Sequence, residues 1–579
     1  MHSAIGAEAE SRAGKLRRPW SRQRRAHDDV LAALEVDSPL LAQLLVNRGV
    51  TSPQGAAAHL DLARPPAPGL DDMAGLRAAV TRIERALDSA ESIVVYGDYD
   101  VDGLSGSTVL ERTLRELGGR VQVFIPHRDR DGYGLNSKVL RALAAQAAGL
   151  VITVDCGVTA ADEVAAANAA GLDVVVTDHH DLSSALPAAV AVVNPHRTDC
   201  PFPFKQLAGA GVALKVAQAL IERRLEPARR AVIEPVLFSL AALGTVSDVM
   251  PIVGENRAIV RHGLRAMNAR PTPGLAALFR RAGLTRPWIE AEDISFKIAP
   301  RLNAAGRLAE AGAAQRLLAT TDPLEAERLA GELESINTRR RELGAAALED
   351  ARARLAEYDG DLPAGLVVQS GFPSGVLGLV AVRLVEEVGR PVAVIEEADG
   401  ACRASVRAPA GFDAVGAVAA GAEHLIRFGG HAGAAGFSID AGNIEPFREA
   451  FAEAVRCQPG PARDAAGLVA EARLKASSVN GELLDLLTRL GPFGHGCPEP
   501  LFETSGLRVL EARVVKEQHL RLQLRDENNG RLVGIAFNGA DDPPEAGSVV
   551  DLLYRVKANV WQGERRADVQ IEAWRPTRS

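Results

Sequence analysis

At 579 residues the chain is too long for a single hydrophobic core, and three or four domains are expected. Apolar residues at 47% and charged residues at 24% are ordinary for a soluble globular protein. The net charge of −8 excludes wholesale electrostatic attraction to nucleic acid, so any such binding must come from local basic surfaces. Five cysteines (Cys156, Cys200, Cys402, Cys457, Cys497) lie far apart with no C-x-x-C pair. That pattern argues against structural zinc or a disulfide framework and for a reducing compartment. The basic opening Lys15–Arg25 has no apolar stretch behind it, unlike a secretory signal, and no apolar run approaches membrane-spanning length. A soluble, cytoplasmic protein is expected.

Residues 1–27, rich in Ser, Arg and Ala without periodicity, read as a disordered basic N-terminus. Residues 28–72 carry helical spacing in Leu31, Leu34, Leu40, Leu41, Leu44 and Leu45, closed by the Pro-rich break ARPPAPG. From residue 73 a helix leads into alternating strands and helices. The strands are Ile93–Tyr96, Val121–Ile125, Leu150–Val154, Val174–Thr177 and Val190–Val193. Continuous apolar strands alternating with helices predict a parallel sheet covered on both faces.

The ends of those strands carry the chemistry. The first runs into Asp98, Asp100 and Asp102; Leu150–Val154 runs into Asp155; Val174–Thr177 runs into Asp178-His179-His180. Crowded carboxylates repel one another and are not left unpaired at the rim of a buried sheet, a conflict that a divalent cation with hard oxygen ligands resolves. One acidic triplet alone reads equally well as a solvated turn. In open α/β sheets the site lies beyond the carboxyl ends of the strands, and convergence of three strand ends favours the metal.

Residues 205–320 read as mostly helical and contain two further candidates. One is Leu243–Asp248, another apolar run ending in an acid. The other is Ala299–Arg307 (APRLNAAGR), whose arginines flank Asn303 and make either a phosphate-facing turn or a solvated helix start. Residues 322–358, capped by Asp322 and Pro323, predict one long helix. A second α/β unit spans 359–456 and ends in FGGHAGAAG, whose glycines permit close backbone approach to a ligand or a tight packed turn. The remainder, 465–579, predicts five strands alternating apolar with basic residues, a small OB-type barrel. His519, Arg521, Lys557 and Trp561 are its candidates for a nucleic-acid groove. The barrel is expected to serve strand binding and to be removable without loss of the chemistry.

These motifs in this order resemble the DHH phosphoesterase family. The likeness rests on GDYDVDG at 97–103, VDCG at Val154–Gly157, TDHH at Thr177–His180 and Asp248 of TVSDV. GGHAGAAG at Gly429–Gly436 is similar to the signature of the family's second domain. APRLNAAGR, the long helix and the barrel are more narrowly similar to the RecJ-type single-strand-specific exonucleases. The fold class implied is α/β: a parallel-sheet DHH catalytic domain (73–321), a long connecting helix (322–358), a smaller α/β DHH-associated domain (359–456) and the OB-type barrel (465–579).

The resemblance implies Asp100, Asp102, Asp155, His179 and Asp248 as ligands of two Mn2+ or Mg2+ ions. Asp98 joins or backs them, and His180 faces the scissile phosphate as part of the catalytic set. It implies substrate contacts from Arg128, Asn303, Arg307, Ser405, Arg407, Gly430 and His431. Single-stranded DNA, a single-strand-binding protein and a helicase are the partners implied, with no membrane. Two segments depart from the family: Gly371–Gly375 has no His, and ASVRA (404–408) lacks the usual glycine and second serine.

A phosphodiester is anionic and unreactive, so its hydrolysis needs charge neutralisation and a hydroxide at neutral pH; two bridged metals about 4 Å apart supply both. Bridging suits Asp102 or Asp155, and His179 suits Mn2+. Cys156, amid acids, reads as packing. The expected activity is 5′→3′ hydrolysis of single-stranded DNA to mononucleotides, with the polarity implied by the resemblance. A DHH enzyme for short oligoribonucleotides or cyclic dinucleotides is the first rival, and the extra barrel speaks against it. A metal-free DNA-binding scaffold is the second, and its acid motifs would be broken.

Overall fold

A computed structural model describes residues 16–577 apart from 17, 62–64, 66, 129, 133, 183–184, 359–361, 399, 461–466 and 562. The chain forms two compact units: Met1–Phe124, Gly134–Lys297 and Ala466–Ser579 make one, and Ile125–Tyr133 with Ile298–Ala465 make the other.

Residues 1–15 of the expected disordered opening lie outside the described residues, but Trp20–Arg22 is a strand running parallel to Leu468–Ala470. The indole of Trp20 is buried with the Arg575 guanidinium 3.9 Å from its ring centre, which gives this short basic stretch a reason to order. Three helices follow, Asp28–Ala32, Pro39–Asn47 and Pro53–Leu60, the latter two capped by Ser38 and Ser52 with proline in the first turn. Their leucines Leu31, Leu34, Leu41 and Leu44 share one core with Leu483, Leu520, Leu522 and Leu552 of the C-terminal region. Residues 28–60 therefore have no core of their own.

The parallel sheet comprises β1 (Ser92–Gly97), β2 (Arg120–Phe124), β3 (Ala148–Val154), β4 (Asp173–Thr177) and β5 (Ala191–Val193). All pairs are parallel, in the order β2-β1-β3-β4-β5. Helix α1 (Val101–Glu116) leaves β1 and packs against α2 (Gly209–Arg224) and α3 (Pro227–Ser247), and α3 packs on α4 (Gly254–Ala269). At 21 residues α3 is long and apolar enough to cross a membrane, contrary to the expectation that no such run exists. Leu237, Leu240 and Leu243 are wholly buried among its neighbours, so it is a core helix.

The second unit contains α5 (Ala299–Leu308) and α6 (Pro323–Ala356), a 34-residue helix capped by Asp322 and free of interior proline. Its strands are β6 (Leu366–Ser370), β7 (Val392–Glu396), β8 (Ala401–Arg407), β9 (Leu425–His431) and β10 (Ala434–Asp440), in the order β9-β10-β8-β7-β6. The Gly-rich FGGHAGAAG is thus a β-hairpin rather than a turn between other elements. Gly430 sits there at φ +145, where a Cβ would meet the Ala434 carbonyl oxygen at 2.4 Å.

Back in the first unit, α7 (Gly481–Leu490) precedes the barrel of β11 (Phe502–Val515), β12 (His519–Arg525), β13 (Arg531–Ala536), β14 (Val549–Trp561) and β15 (Glu564–Pro576). The order β11-β12-β13-β15-β14, with β14 pairing back onto β11, closes the sheet in the OB arrangement. Buried Arg257 of α4 donates to the carbonyls of Leu490 and Gly491 at 2.7 Å each and of His59 at 3.3 Å. One guanidinium thereby ties the α-helical layer, the N-terminal helices and the end of α7 together.

Candidate metal centre

Each strand end delivers its acid by the same device. The first residue past the strand keeps one more ladder bond: Asp98 N–H donates to Val154 O, Asp155 N–H to Thr177 O, and Asp178 N–H to Val193 O. The backbone is thus fixed before the side chain leaves the sheet. Asp100 then caps α1, its Oδ1 accepting from the amides of Asp102 (2.8 Å) and Gly103 (3.1 Å), which sets Asp102 in the first turn. A Cβ on Gly103 would lie 2.6 Å from backbone atoms of Asp98, so only glycine lets α1 start this close to β1. Asp155 itself adopts φ 62, a left-handed conformation that Asp tolerates better than most residues. Asp248 follows the last residue of α3.

Three ligand groups result: Asp98, Asp100 and Asp155; Asp102, His179 and Asp248; and Asp155, His179 and His180. Nε2 of His179 lies 3.0 Å from Asp155 Oδ1, 3.6 Å from Asp248 Oδ2 and 3.8 Å from Asp102 Oδ2. Asp98, Asp102 and Asp155 are buried. Burial, followed by the charge of neighbouring acids, pushes all three carboxyls well above the usual range. Asp248 rises to about 7 for the same reasons, burial first and then Asp100. His179 falls to about 4 through burial and the neighbouring His180, leaving the neutral imidazole that ligates metal.

His180 takes the opposite course. Burial alone would lower its pKa, but the bond to Asp178 and that residue's charge raise it to about 9. Asp178 accepts four hydrogen bonds, from the His179 and His180 amides, His180 Nδ1 and the Val158 amide. Asp178 was not among the residues expected to act, although the D of TDHH is the available signal. A second omission is the start of α2, whose Gly209 and Ala210 amides donate to Asp102 at 2.6 and 2.9 Å. Its only trace in the sequence is the run of small residues Ala208–Gly211. Buried Cys156 has its thiol pKa pushed up by burial and by Asp178, so it packs rather than reacts.

The donor set fits a pair of hard divalent ions. Asp98 Oδ1 and Asp155 Oδ1 are buried without a hydrogen-bond partner, a costly arrangement that cations at those oxygens would remove. Five carboxylates and one imidazole suit Mn2+ or Mg2+ rather than a thiolate-seeking metal.

The remaining expected residues divide by unit. In the second unit Arg407 donates to Ser405 Oγ at 3.1 Å. Burial and the charge of nearby Arg128 hold its pKa below the usual arginine value. Gly378 leaves room beside this pair, since a Cβ there would lie 3.0 Å from Ser405 Oγ and 3.1 Å from Arg407 Nη2. Arg307, with Asn303 one turn earlier on α5, donates to Gly375 O at 3.4 Å. His431 is exposed at the end of β9 beside Gly430.

The barrel candidates do not all share one face. His519 and Arg521 lie on the outer face of β12, where His519 meets Phe537 edge-on at 5.3 Å. Arg521 stands opposite Arg513 in the next strand, and Arg525 opposite both Arg508 and Arg531. Lys557 departs from the expected groove: Glu292 (2.6 Å) and Glu499 (2.7 Å) take its ammonium, tying the barrel to the segment before α5. The side chain of Trp561 lies outside the described residues.

Comparison with known proteins matches the family patterns "DHH family, N-terminal domain" over residues 92–245, "DHHA1 domain" over 363–456 and "RecJ OB domain" over 470–573. The single-stranded-DNA-specific exonuclease RecJ of Dickeya dadantii is 36% identical, covering 92% of this chain and 95% of its own length. Its counterpart in Thermus thermophilus is 36% identical over 94% of this chain and 76% of its own. The crystal structure of Thermus thermophilus RecJ in complex with Mn2+ superposes with a TM-score of 0.80 at 33% identity, over 98% of this chain and 80% of that one. The Mg2+ complex of the same protein gives 0.74 at 32% identity.

Proposed function

We propose, given that the chain belongs to the RecJ family of DHH proteins, that it is a metal-dependent exonuclease hydrolysing the phosphodiester bonds of single-stranded DNA. The observation that carries this reading is the convergence of Asp98, Asp100, Asp102, Asp155, His179 and Asp248, with buried carboxylate oxygens that lack partners. Related proteins named for the same activity, at above 30% identity over most of the chain, support it.

Bound Mn2+ or Mg2+ supplies Lewis-acid neutralisation of the phosphoryl oxygens and lowers the pKa of water. The chain's own part is to hold the six ligands and to present His180. Nδ1 of His180 is committed to Asp178, so the proton offered to the substrate is the one on Nε2. Arg407 and Arg128, near each other and both cationic, with Ser405 alongside, suit a terminal 5′-phosphate, which carries more charge and more acceptor oxygens than a diester. That supports 5′→3′ polarity with release of mononucleotides. Arg307, Asn303, Gly430 and His431 complete the substrate contacts of this reading.

The expected division at 73–321, 322–358, 359–456 and 465–579 belongs to the same proposal, with the barrel holding the strand. A duplex must be unwound and its strands kept apart before such an enzyme can act, which is the ground for a helicase and a single-strand-binding protein as partners in the cytoplasm. The deciding experiment offers end-labelled long single strands, duplex and dinucleotides to the full chain, each with Mn2+ or EDTA. Metal-dependent release of mononucleotides is expected, far faster from long single strands than from duplex or dinucleotides. Equal turnover of dinucleotides, or cleavage in EDTA, would overturn the reading.

A further inference from the structure

We infer that Gly209, Ala210 and Gly244 form a seat that fixes Asp102 in place before any ion binds, which makes them positioning residues of the metal centre. The inference rests on the metal reading above and adds to it. The two amides at the start of α2 each take one oxygen of Asp102: Gly209 N–H donates to Oδ2 at 2.6 Å and Ala210 N–H to Oδ1 at 2.9 Å. A carboxylate oxygen accepts two bonds, so each oxygen keeps one direction for a metal. Asp98 Oδ1 and Asp155 Oδ1, by contrast, accept no hydrogen bond, although His179 Nε2 stands 3.0 Å from the latter. Asp102 thus has both oxygens set by backbone amides, where Asp100 has only its Oδ1 so held.

The walls of the seat are bare for a steric reason. A Cβ on Gly244 would lie 2.4 Å from Asp102 Oδ1 and 2.6 Å from the Cβ of Ala210. A Cβ on Gly209 would lie 2.6 Å from the Cβ and 2.8 Å from Oδ1 of Asp155. Glycine inside α3 costs about 1 kcal/mol of helix stability relative to alanine, so alanine would be the default were the space not needed. Gly263 on α4 is a built-in control. Its Cβ would collide with Ala242 Cβ (2.3 Å) and Phe238 O (2.4 Å), so it crowds the same helix, α3, with no acid among those contacts.

The test measures Mn2+ binding to the full chain by the loss of the free-ion EPR signal, with thermal melts alongside, for wild type, Gly244→Ala, Gly209→Ala and Gly263→Ala. Displacing a ligand's support is expected to weaken Mn2+ binding about 10–100-fold in the first two variants. Gly263→Ala should melt lower yet bind Mn2+ as wild type does. Gly209→Ala, whose Cβ would press on Asp155 and not on Asp102, tests the same helix start against a second ligand. Should Gly244→Ala not fold, the smaller loss expected of Asp102→Glu, which keeps the charge but leaves the seat, replaces it. Wild-type affinity in the folded seat variants, or an equal loss in Gly263→Ala, overturns the inference. Absence of Mn2+ binding by the wild type would instead overturn the metal reading beneath it.

Discussion

Asp178 Oδ1 lies 2.8 Å from Nδ1 of His180 while the same oxygen accepts the His179 amide, so one buried carboxylate orients both histidines of the TDHH motif. The bond fixes the His180 tautomer and, against the effect of burial, keeps the ring protonated to about pH 9. Asp178→Asn preserves shape and removes the charge. It should slow cleavage about 10–100-fold with little change in melting temperature. In the metal-free protein, NMR should show His180 titrating at lower pH. An unchanged titration would mean that Asp178 serves only the backbone.

Asp155 belongs to two of the three ligand groups, and its Oδ1 has no hydrogen-bond partner. Asp155→Ala should lower the cleavage rate about a thousandfold or more. It also removes one of several mutually repelling buried acids. The variant should therefore melt at or above the wild-type temperature in EDTA and gain less from added Mn2+. A folded variant that turns over normally would sink the ligand assignment.

Among the described residues Arg407 has no acidic partner and bonds only Ser405 Oγ and the Val406 carbonyl. Arg407→Ala should slow cleavage of 5′-phosphorylated strands by the equivalent of about 1–3 kcal/mol and narrow the gap from 5′-hydroxyl strands. Rates on the two substrates, measured side by side in low salt, decide it. An unchanged preference would remove Arg407 from the site.

On the barrel, Arg513 faces Arg521, and Arg525 faces Arg508 and Arg531, like charges placed directly opposite at a cost to the sheet. Arg513, Arg521, Arg525 and Arg531 have no acidic partner among the described residues. Arg521→Ala with Arg525→Ala should weaken binding of long single strands and reduce its salt dependence by about two counterions, leaving dinucleotide hydrolysis unchanged. Loss of both activities together would make this face structural. Deleting 465–579 is a poorer test than the sequence suggested, because that cut strips the cover from Leu41 and Leu44.

His59 is part-buried beside Arg257, and burial, then the Arg257 charge, lowers its pKa to about 4. The folded-state value lies below the unfolded one near 6.5, so the unfolded chain binds the extra proton. The stabilisation is complete above about pH 6.5 and is lost as pH falls towards 4. For a part-exposed group this amounts to on the order of 1 kcal/mol. Replacing it by Asn should flatten that slope in melts between pH 4 and 7; an unaltered slope would place the acid sensitivity elsewhere.

The elements and the ligand types were legible in the chain as written. Apolar runs ending in acids predict strands whose ends meet, and β1, β3 and β4 do so with Asp98, Asp155 and Asp178 at their tips. Local chemistry sufficed there because strand period, caps and turn residues act over a few positions. Contacts between segments distant in the chain came only with the folded arrangement. Asp102 is held by amides 107 and 108 residues away, and Lys557 is drawn off the expected groove by Glu292, 265 residues away. The helices of residues 28–60 find their core only in the barrel at the other end of the chain. Such pairings depend on where the sheet, the helices and the barrel come to rest, and no spacing within a segment encodes that.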